Sequence, residues 1–380
     1  METRLYLESV ALSGYRSYNQ EENRILLGNY NLIIGANGSG KSNFLSFFEM
    51  LSFMMTRGLQ NYTAKHGGAS ALLHIGAKEA DRIRGQLRFS NAGYGDGAEG
   101  ASNPQGACYN FALERGAGER LFFTNETASL KQGVKDLNLN FGNGHFESML
   151  ADNLYKWEIP DLWRGLSRLR VFHFNDTSIS SNLRGMAKED DNSYLYSNGW
   201  NLAAFLYRLE KDYPPYYQRI VRTIRRAMPQ FNDFDLSPDE NGFVRLNWTQ
   251  AGAEYPFGAH HFSDGALRFI ALTTLLLQPP EIAPYTIILD EPEIGLHPYA
   301  LSLLAWELRE AGKRSQIILA TQSPTLLNSF SCEDIITADY DPNRNCSVLR
   351  RHSTEELKEW LEDYSLGELW EKNVLGGLPV

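Results

Sequence analysis

Ile33-Ile34-Gly35-Ala36-Asn37-Gly38-Ser39-Gly40-Lys41-Ser42 is the stretch on which the fold turns. From Gly35 to Ser42 it fits G-x-x-x-x-G-K-[ST] without a gap. An apolar strand (Asn31 to Ile34) precedes it and a helix-like run (Asn43 to Phe53) follows. That strand–loop–helix frame is what a phosphate-binding loop requires. The glycines let the backbone wrap closely, so that several N–H groups point inward at phosphate oxygens. The helix starting near Lys41 adds the positive end of its dipole. In this reading Gly35, Ala36, Asn37, Gly38, Ser39, Gly40 and Asn43 line the cradle. Lys41 reaches the β- and γ-phosphates of ATP, and the Ser42 hydroxyl holds Mg²⁺. The competing reading is a glycine-rich turn that matches by chance.

Bulk properties narrow the class. A chain of 380 residues buries a large core and predicts one big domain with insertions or two lobes. With 43% apolar and 22% charged residues the composition is that of a globular protein. The net charge of −10 gives no general attraction to nucleic acid, so any DNA contact has to come from a local basic surface. Cys108, Cys332 and Cys346 lie far apart without a C-x-x-C, which points to a reducing cytoplasm and away from a zinc site. No basic-then-apolar leader pattern is seen at the start. The longest apolar run, Ala266 to Leu277, is too short to span a bilayer and is interrupted by Arg268.

Along the chain, Arg4 to Ser13 alternates as a strand, and Gly14-Tyr15-Arg16-Ser17-Tyr18 reads as a turn. Tyr15 and Arg16 belong either near the nucleotide or in a surface turn with an anchored aromatic. Ile25 to Leu27 and Asn31 to Ile34 are further strands, the second apolar enough for a central parallel position. Ile83 to Phe89, Ala107 to Leu113 and Arg120 to Thr124 predict an antiparallel meander, with Asn91 to Gly106 as a mobile hairpin tip. Leu169 to Phe174 is a strand with a polar ending, and His173 within it reads as a satisfied core histidine. Trp200 to Leu209 and Tyr216 to Met228 have helical spacing. The second carries Arg219, Arg222, Arg225 and Arg226 on one face, which meets either a phosphate backbone or simply solvent.

Three later segments carry chemistry. Thr286-Ile287-Ile288-Leu289-Asp290-Glu291 is an apolar strand ending in two acids. Buried charge without a partner is costly, so adjacent carboxylates there need a reason. Beside a phosphate loop, Asp290 holds the Mg²⁺ shell and Glu291 orients and deprotonates the attacking water. Phe262-Ser263-Asp264-Gly265 precedes the Ala266 helix, where Ser263 suits an N-cap and Gly265 leaves room for a phosphate. Gln316 to Ala320 is an apolar strand ending in Thr321-Gln322-Ser323-Pro324, and a polar residue there can touch the γ-phosphate.

Taken together these motifs resemble the ABC-type ATPase heads of the RecF, SMC and OLD group. Phe262-Ser263-Asp264-Gly265-Ala266 stands at the L-S-G-G-Q-like signature. Leu289-Asp290-Glu291-Pro292-Glu293-Ile294-Gly295-Leu296-His297-Pro298 resembles Walker B plus D-loop, and Thr321-Gln322-Ser323-Pro324 the switch strand. More narrowly, the chain is similar from end to end to a bacterial family of short ATPases in the AAA-21 group. Phe172-His173-Phe174-Asn175-Asp176-Thr177-Ser178, Asn201-Leu202-Ala203-Ala204-Phe205-Leu206 and the tail Trp360 to Trp370 carry that likeness.

The resemblance implies an α/β P-loop NTPase fold with a mixed sheet, an antiparallel β subdomain and an inserted helical lobe. Residues 1–160 would hold the phosphate loop and β subdomain, 161–262 the Q-loop-like strand and helical lobe, and 263–380 the signature helix, acids and switch strand. It implies a head-to-tail homodimer in which Ser263, Asp264 and Gly265 of one copy close on the nucleotide held by the other. Asn175 and Asp176 take the Q-loop's place, with Asp176 joining Ser42 and Asp290 around Mg²⁺. Gln322 replaces the switch histidine; it can hydrogen-bond a phosphate but cannot carry a proton near neutral pH. The implied function is Mg²⁺-dependent ATP hydrolysis in a DNA-associated role, repair or anti-phage defence, with a nuclease or toxin partner encoded nearby and no membrane. The rival is a nucleotide-gated sensor module with little turnover.

Overall fold

Phe44, Leu45, Phe47, Phe48, Met50, Leu51, Met54 and Met55 recur at helical intervals after the glycine-rich loop. In the computed structural model all eight are buried on a helix, Lys41–Met55. The structure describes residues 5–76, 80–91, 106–132, 135–152 and 159–376. Most of the expected hairpin tip, residues 92–105, lies outside them. The chain divides into two units: residues 1–170, 285–288 and 318–380 form the first, and residues 171–284 and 289–317 the second.

The first unit contains one six-stranded sheet and most of a second. One is built from β1 (Tyr6–Ser13), β2 (Asn23–Leu26), β4 (Arg82–Ser90), β5 (Gly106–Arg115), β6 (Leu121–Gln132) and β7 (Lys135–Gly142), with β3 (Tyr30–Ile34) leaving for the other. Its order is β2-β1-β4-β5-β6-β7, antiparallel throughout. The predicted meander is therefore the centre of a larger sheet that the N-terminal strands also join. Ile83, Leu87 and Phe89 alternate inward along β4, opposite Leu113, Tyr109 and Ala107 of β5. Gly85 interrupts that row for a steric reason: a Cβ there would lie 2.4 Å from Phe111 Cζ and 2.9 Å from Phe47 Cζ. The gap lets Phe47 of the Lys41–Met55 helix stack on Phe111, centroids 6.1 Å apart, and so ties the helix to the sheet. Each buried phenylalanine is worth about 1.5–3 kcal/mol of transfer free energy.

The other sheet adds β8 (Leu169–Phe172), β13 (Thr286–Asp290), β14 (Gln316–Ala320), β15 (Ile335–Asp341) and β16 (Cys346–Arg351) to β3, in the order β16-β15-β3-β14-β13-β8. β3 pairs with β15 in parallel, Leu32 opposite Ile335 and Ile34 opposite Thr337, while β16 is an antiparallel edge. Leu32, Ile33 and Ile34 are fully buried, as expected of a strand covered on both faces. The chain crosses between the units inside β8, β13 and β14.

The second unit is mostly helical: Leu202–Asp212, Pro214–Ala227, Asp264–Leu277 and Pro298–Gly312. It also holds four short strands, β9 (Met186–Lys188) paired with β11 (Phe243–Arg245), and β10 (Phe231–Asp235) paired with β12 (Asn247–Gln250). Phe231, Trp248 and Phe262 stack as a small aromatic core beneath the second pair. His173 corrects the sequence reading. It lies one residue past β8 and is exposed, so it is not a core histidine. Among the described residues no helix is long and apolar enough to cross a membrane.

Candidate active site

The glycine-rich loop of the first unit leaves β3 and enters the Lys41–Met55 helix through Gly40. Gly38 and Gly40 sit at φ +81° and +107°, where side chains are strained. At Gly40 space is also closed: a Cβ would fall 2.2 Å from Ser347 Oγ. No side chain caps the helix and no acidic residue occupies its first turn. The N–H groups at a helix start have no intrahelical acceptor, so this end suits an anion. Ser39 Oγ is buried and has no hydrogen-bond partner among the described residues, a polar atom oriented for something the protein itself does not supply. Lys41, also buried, donates from Nζ to Gly35 O at 2.5 Å and Ala36 O at 2.9 Å. Its ammonium is thus folded over the loop. Ser42, Asn37 and Gly38 are exposed at the loop's surface. Gln322, just past β14, donates from Nε2 to Asn37 Oδ1 at 3.0 Å, so the switch-strand glutamine meets the phosphate loop.

The Gly14–Tyr18 turn backs this loop. Tyr18, fully buried, donates to Gly40 O at 3.2 Å. Ser17 Oγ accepts from Asn43 Nδ2 at 2.9 Å and from Ser347 Oγ at 2.7 Å. Tyr15 is buried against Ser46 and Tyr62, which is the anchored-aromatic alternative, and Arg16 lies over its ring.

In the second unit, Ser263 is the N-cap of the Asp264–Leu277 helix; its Oγ accepts from Ala266 N at 3.3 Å. That bond uses a lone pair and leaves the hydroxyl proton to donate. Asp264 is exposed and accepts from Arg184 at 3.1 Å. Gly265 packs so tightly on the loop after β13 that a Cβ would lie 2.2 Å from Gly295 O. Asp290 ends β13, and Glu291 follows at φ +45°, a left-handed conformation unusual outside glycine. Asn175 Nδ2 reaches Asp290 O at 3.5 Å. Asp176 is exposed and turned onto its own chain: Ser178 Oγ and N donate to Oδ1 at 2.7 and 3.1 Å, holding this carboxyl below its ordinary range. His297 caps the Pro298–Gly312 helix through Nδ1, 3.2 Å from Tyr299 N.

The profile of the AAA_21 family, described as "AAA domain, putative AbiEii toxin, Type IV TA system", matches residues 30–328. The chain belongs to the AAA_21 family. It is an ATPase with a P-loop NTPase fold. Among solved structures it is similar to an SMC head bound to the C-terminal winged-helix domain of ScpA. The identity is 17%, the match covers 92% of this chain and 99% of that one, and the TM-score is 0.59. It is also similar to the Smc head domain with an extended coiled coil, bound to the C-terminal domain of ScpA, from Pyrococcus furiosus. There the values are 16%, 94%, 99% and 0.58. At such identities the likeness is one of fold, that of an SMC ATPase head. No curated protein matches in sequence.

Sequence reading of this AAA_21 chain missed several residues that build the site. Ser17, Tyr18 and Ser347 support the phosphate loop from distant positions in the chain. Arg184 donates to Thr177 O, Ala259 O and Phe262 O as well as Asp264, pinning the approach to Ser263. Arg268, noticed in the sequence only as a break in an apolar run, donates to three main-chain carbonyls. The available signal was a lone arginine in a stretch otherwise fit for a core helix.

Proposed function

We propose that this ATPase hydrolyses ATP with Mg²⁺, closes on it as a head-to-tail homodimer, and works in a DNA-associated setting with a separate effector protein. The observation that carries the reading is the uncapped helix start behind Gly38 and Gly40, with Lys41 folded over the loop. A triphosphate supplies the acceptors this cradle lacks, and Lys41 transfers its hydrogen bonds from loop carbonyls to phosphate oxygens. Ser42 of the first unit would offer Mg²⁺ a hydroxyl oxygen, and Asp290 and Asp176 of the second are the carboxylates that would hold it, few in number as Mg²⁺ held on a nucleotide requires. Bound there, Mg²⁺ supplies charge neutralisation on the phosphoryl group. Asp176 is the weakest of the three, since Oδ1 already serves Ser178. Glu291 orients and deprotonates water; Gln322 holds a phosphate oxygen through its amide. Ser263, Asp264 and Gly265 present the hydroxyl and helix start that meet the partner copy's nucleotide.

The dimer draws support from Ser263, Asp264, Gly295 and His297 all being exposed on the second unit. The DNA role draws less. Of the four arginines on the Pro214–Ala227 helix, Arg219 pairs with Glu310 at 3.2 Å and Arg225 with Asp233 at 3.8 Å. Arg222 and Arg226 are exposed, so a nucleic-acid contact on this helix would rest on those two. The toxin–antitoxin description of the family and the ScpA-bound SMC heads favour a protein partner, and the free cysteines fit a cytoplasmic setting.

The decisive experiment replaces Glu291 by Gln. Turnover collapses by about 10²-fold or more while ATP-dependent association persists, if Glu291 is the base. Unchanged phosphate release removes Glu291 from that role. One observation favours the alternative of a slow, nucleotide-gated module: Gln322 cannot relay a proton. A wild-type chain that binds ATP tightly yet turns over no faster than the Gln variant establishes that alternative. Stimulation of phosphate release by duplex DNA ends, weakening steeply with salt, tests the DNA role.

A further inference from the structure

Arg268 lies in the second turn of the Asp264–Leu277 helix, and its neighbours Leu267, Phe269, Ile270, Ala271 and Leu272 are all buried apolar residues. Only 5% of Arg268 is exposed. Its guanidinium donates to Phe174 O at 3.1 Å, to Asn175 O at 2.9 Å and to Ile294 O, and none of these partners is a carboxylate. Stability alone does not account for this choice. The Asp264 carboxylate acts on it through space and not among these hydrogen bonds. A buried cation so loosely compensated costs free energy, and an apolar residue of similar volume commonly does as well or better. What a guanidinium uniquely supplies is a rigid fork that holds several acceptors in fixed relation.

Of those acceptors Ile294 O lies just past Glu291, and Asn175 relays the grip to the residue before it. Ile294 closes the turn that Glu291 opens, with Ile294 N donating to Glu291 O at 3.3 Å. Asn175, gripped by the same guanidinium, extends its own amide to Asp290 O. Glu291 itself stands at φ +45°. A non-glycine residue keeps such a conformation only where its surroundings over-determine it. Arg268 supplies that constraint from both flanks.

We propose that Arg268 is a positioning residue for ATP hydrolysis, fixing the peptide on each side of Glu291 so that its carboxylate stays aimed at the attacking water. The proposal rests on the reading of Glu291 as the base. Arg268 is thereby expected to act on kcat and not on nucleotide affinity.

The test uses the full chain with R268M, R268K, E291Q and the double variant R268M/E291Q. Phosphate release and the affinity for a fluorescent ATP analogue are both measured. R268M should lower kcat by about tenfold to a hundredfold, as a misplaced catalytic group does, with analogue affinity within about threefold of wild type. R268K keeps the charge and some donors and should recover part of kcat; it also serves if R268M does not fold. The double variant should be no slower than E291Q alone, because the two act through one group. Losses that multiply in the double variant overturn the proposal, as does R268M with wild-type kcat while E291Q is inactive. An active E291Q overturns instead the reading of Glu291 itself, and the two failures are thereby distinguished.

Discussion

Gly40 and Lys41 set opposite demands on the same bend. Gly40→Ala puts a Cβ against Ser347 at a positive φ, so it should cost about 1–3 kcal/mol of stability and also spoil the cradle. A lowered melting temperature together with lost ATP-analogue binding is the expected result. Lys41→Met removes a buried ammonium, with its two hydrogen bonds to Gly35 O and Ala36 O, and introduces no clash at the bend. Binding should fall beyond detection by fluorescence titration while the melting temperature holds or rises. Residues of this kind are legible in a sequence because phosphate chemistry fixes both their type and their spacing. Ser17 and Ser347 are not, since a serine is an ordinary surface residue until the fold brings two of them within 2.7 Å. His173 misled for a related reason: its neighbours Phe172 and Phe174 are both buried, and alternation sets the residue between them on the exposed side.

Between elements, the Asp264–Leu277 and Pro298–Gly312 helices share a buried acid. Glu307 accepts from Thr273 Oγ1 at 2.9 Å, and burial pushes its carboxyl up to about 8 from an ordinary 4.5. The folded chain therefore retains a proton that the unfolded chain releases between those values. Stability from this group is full below the lower value and declines as pH rises through the upper one. Urea unfolding followed from mildly acidic to mildly alkaline pH should show that decline, and Glu307→Gln should flatten it. In the first unit, Phe111→Ala should cost about 3–5 kcal/mol, because both Phe47 and the gap at Gly85 are shaped around that ring. The elements themselves were readable from alternation and helical spacing. Their sheet membership was readable only in part: the apolar run of β3 suited a central parallel strand, but the alternation of β1 did not say that it joins the meander, which only long-range register decides.

At the scale of the whole molecule, the order of motifs foretold a P-loop NTPase, yet not how the chain is parcelled. The backbone passes from one unit to the other inside strands that look uniform in sequence, so no shift in composition marks the places. Closure into a pair belongs to this scale too. Light scattering should find an ATP-dependent doubling of mass in E291Q, abolished by Ser263→Arg, which sets bulk and charge at the helix start. Finally, β3 pairs with β15, Leu32 against Ile335, across most of the chain's length. At a synthesis rate of about 5–20 residues per second, that largely apolar strand emerges from the ribosome roughly 15–60 seconds before its partner exists. The glycine-rich loop is thus among the last features of a newborn copy to gain its neighbours, and the unpaired apolar strand is open to aggregation until then.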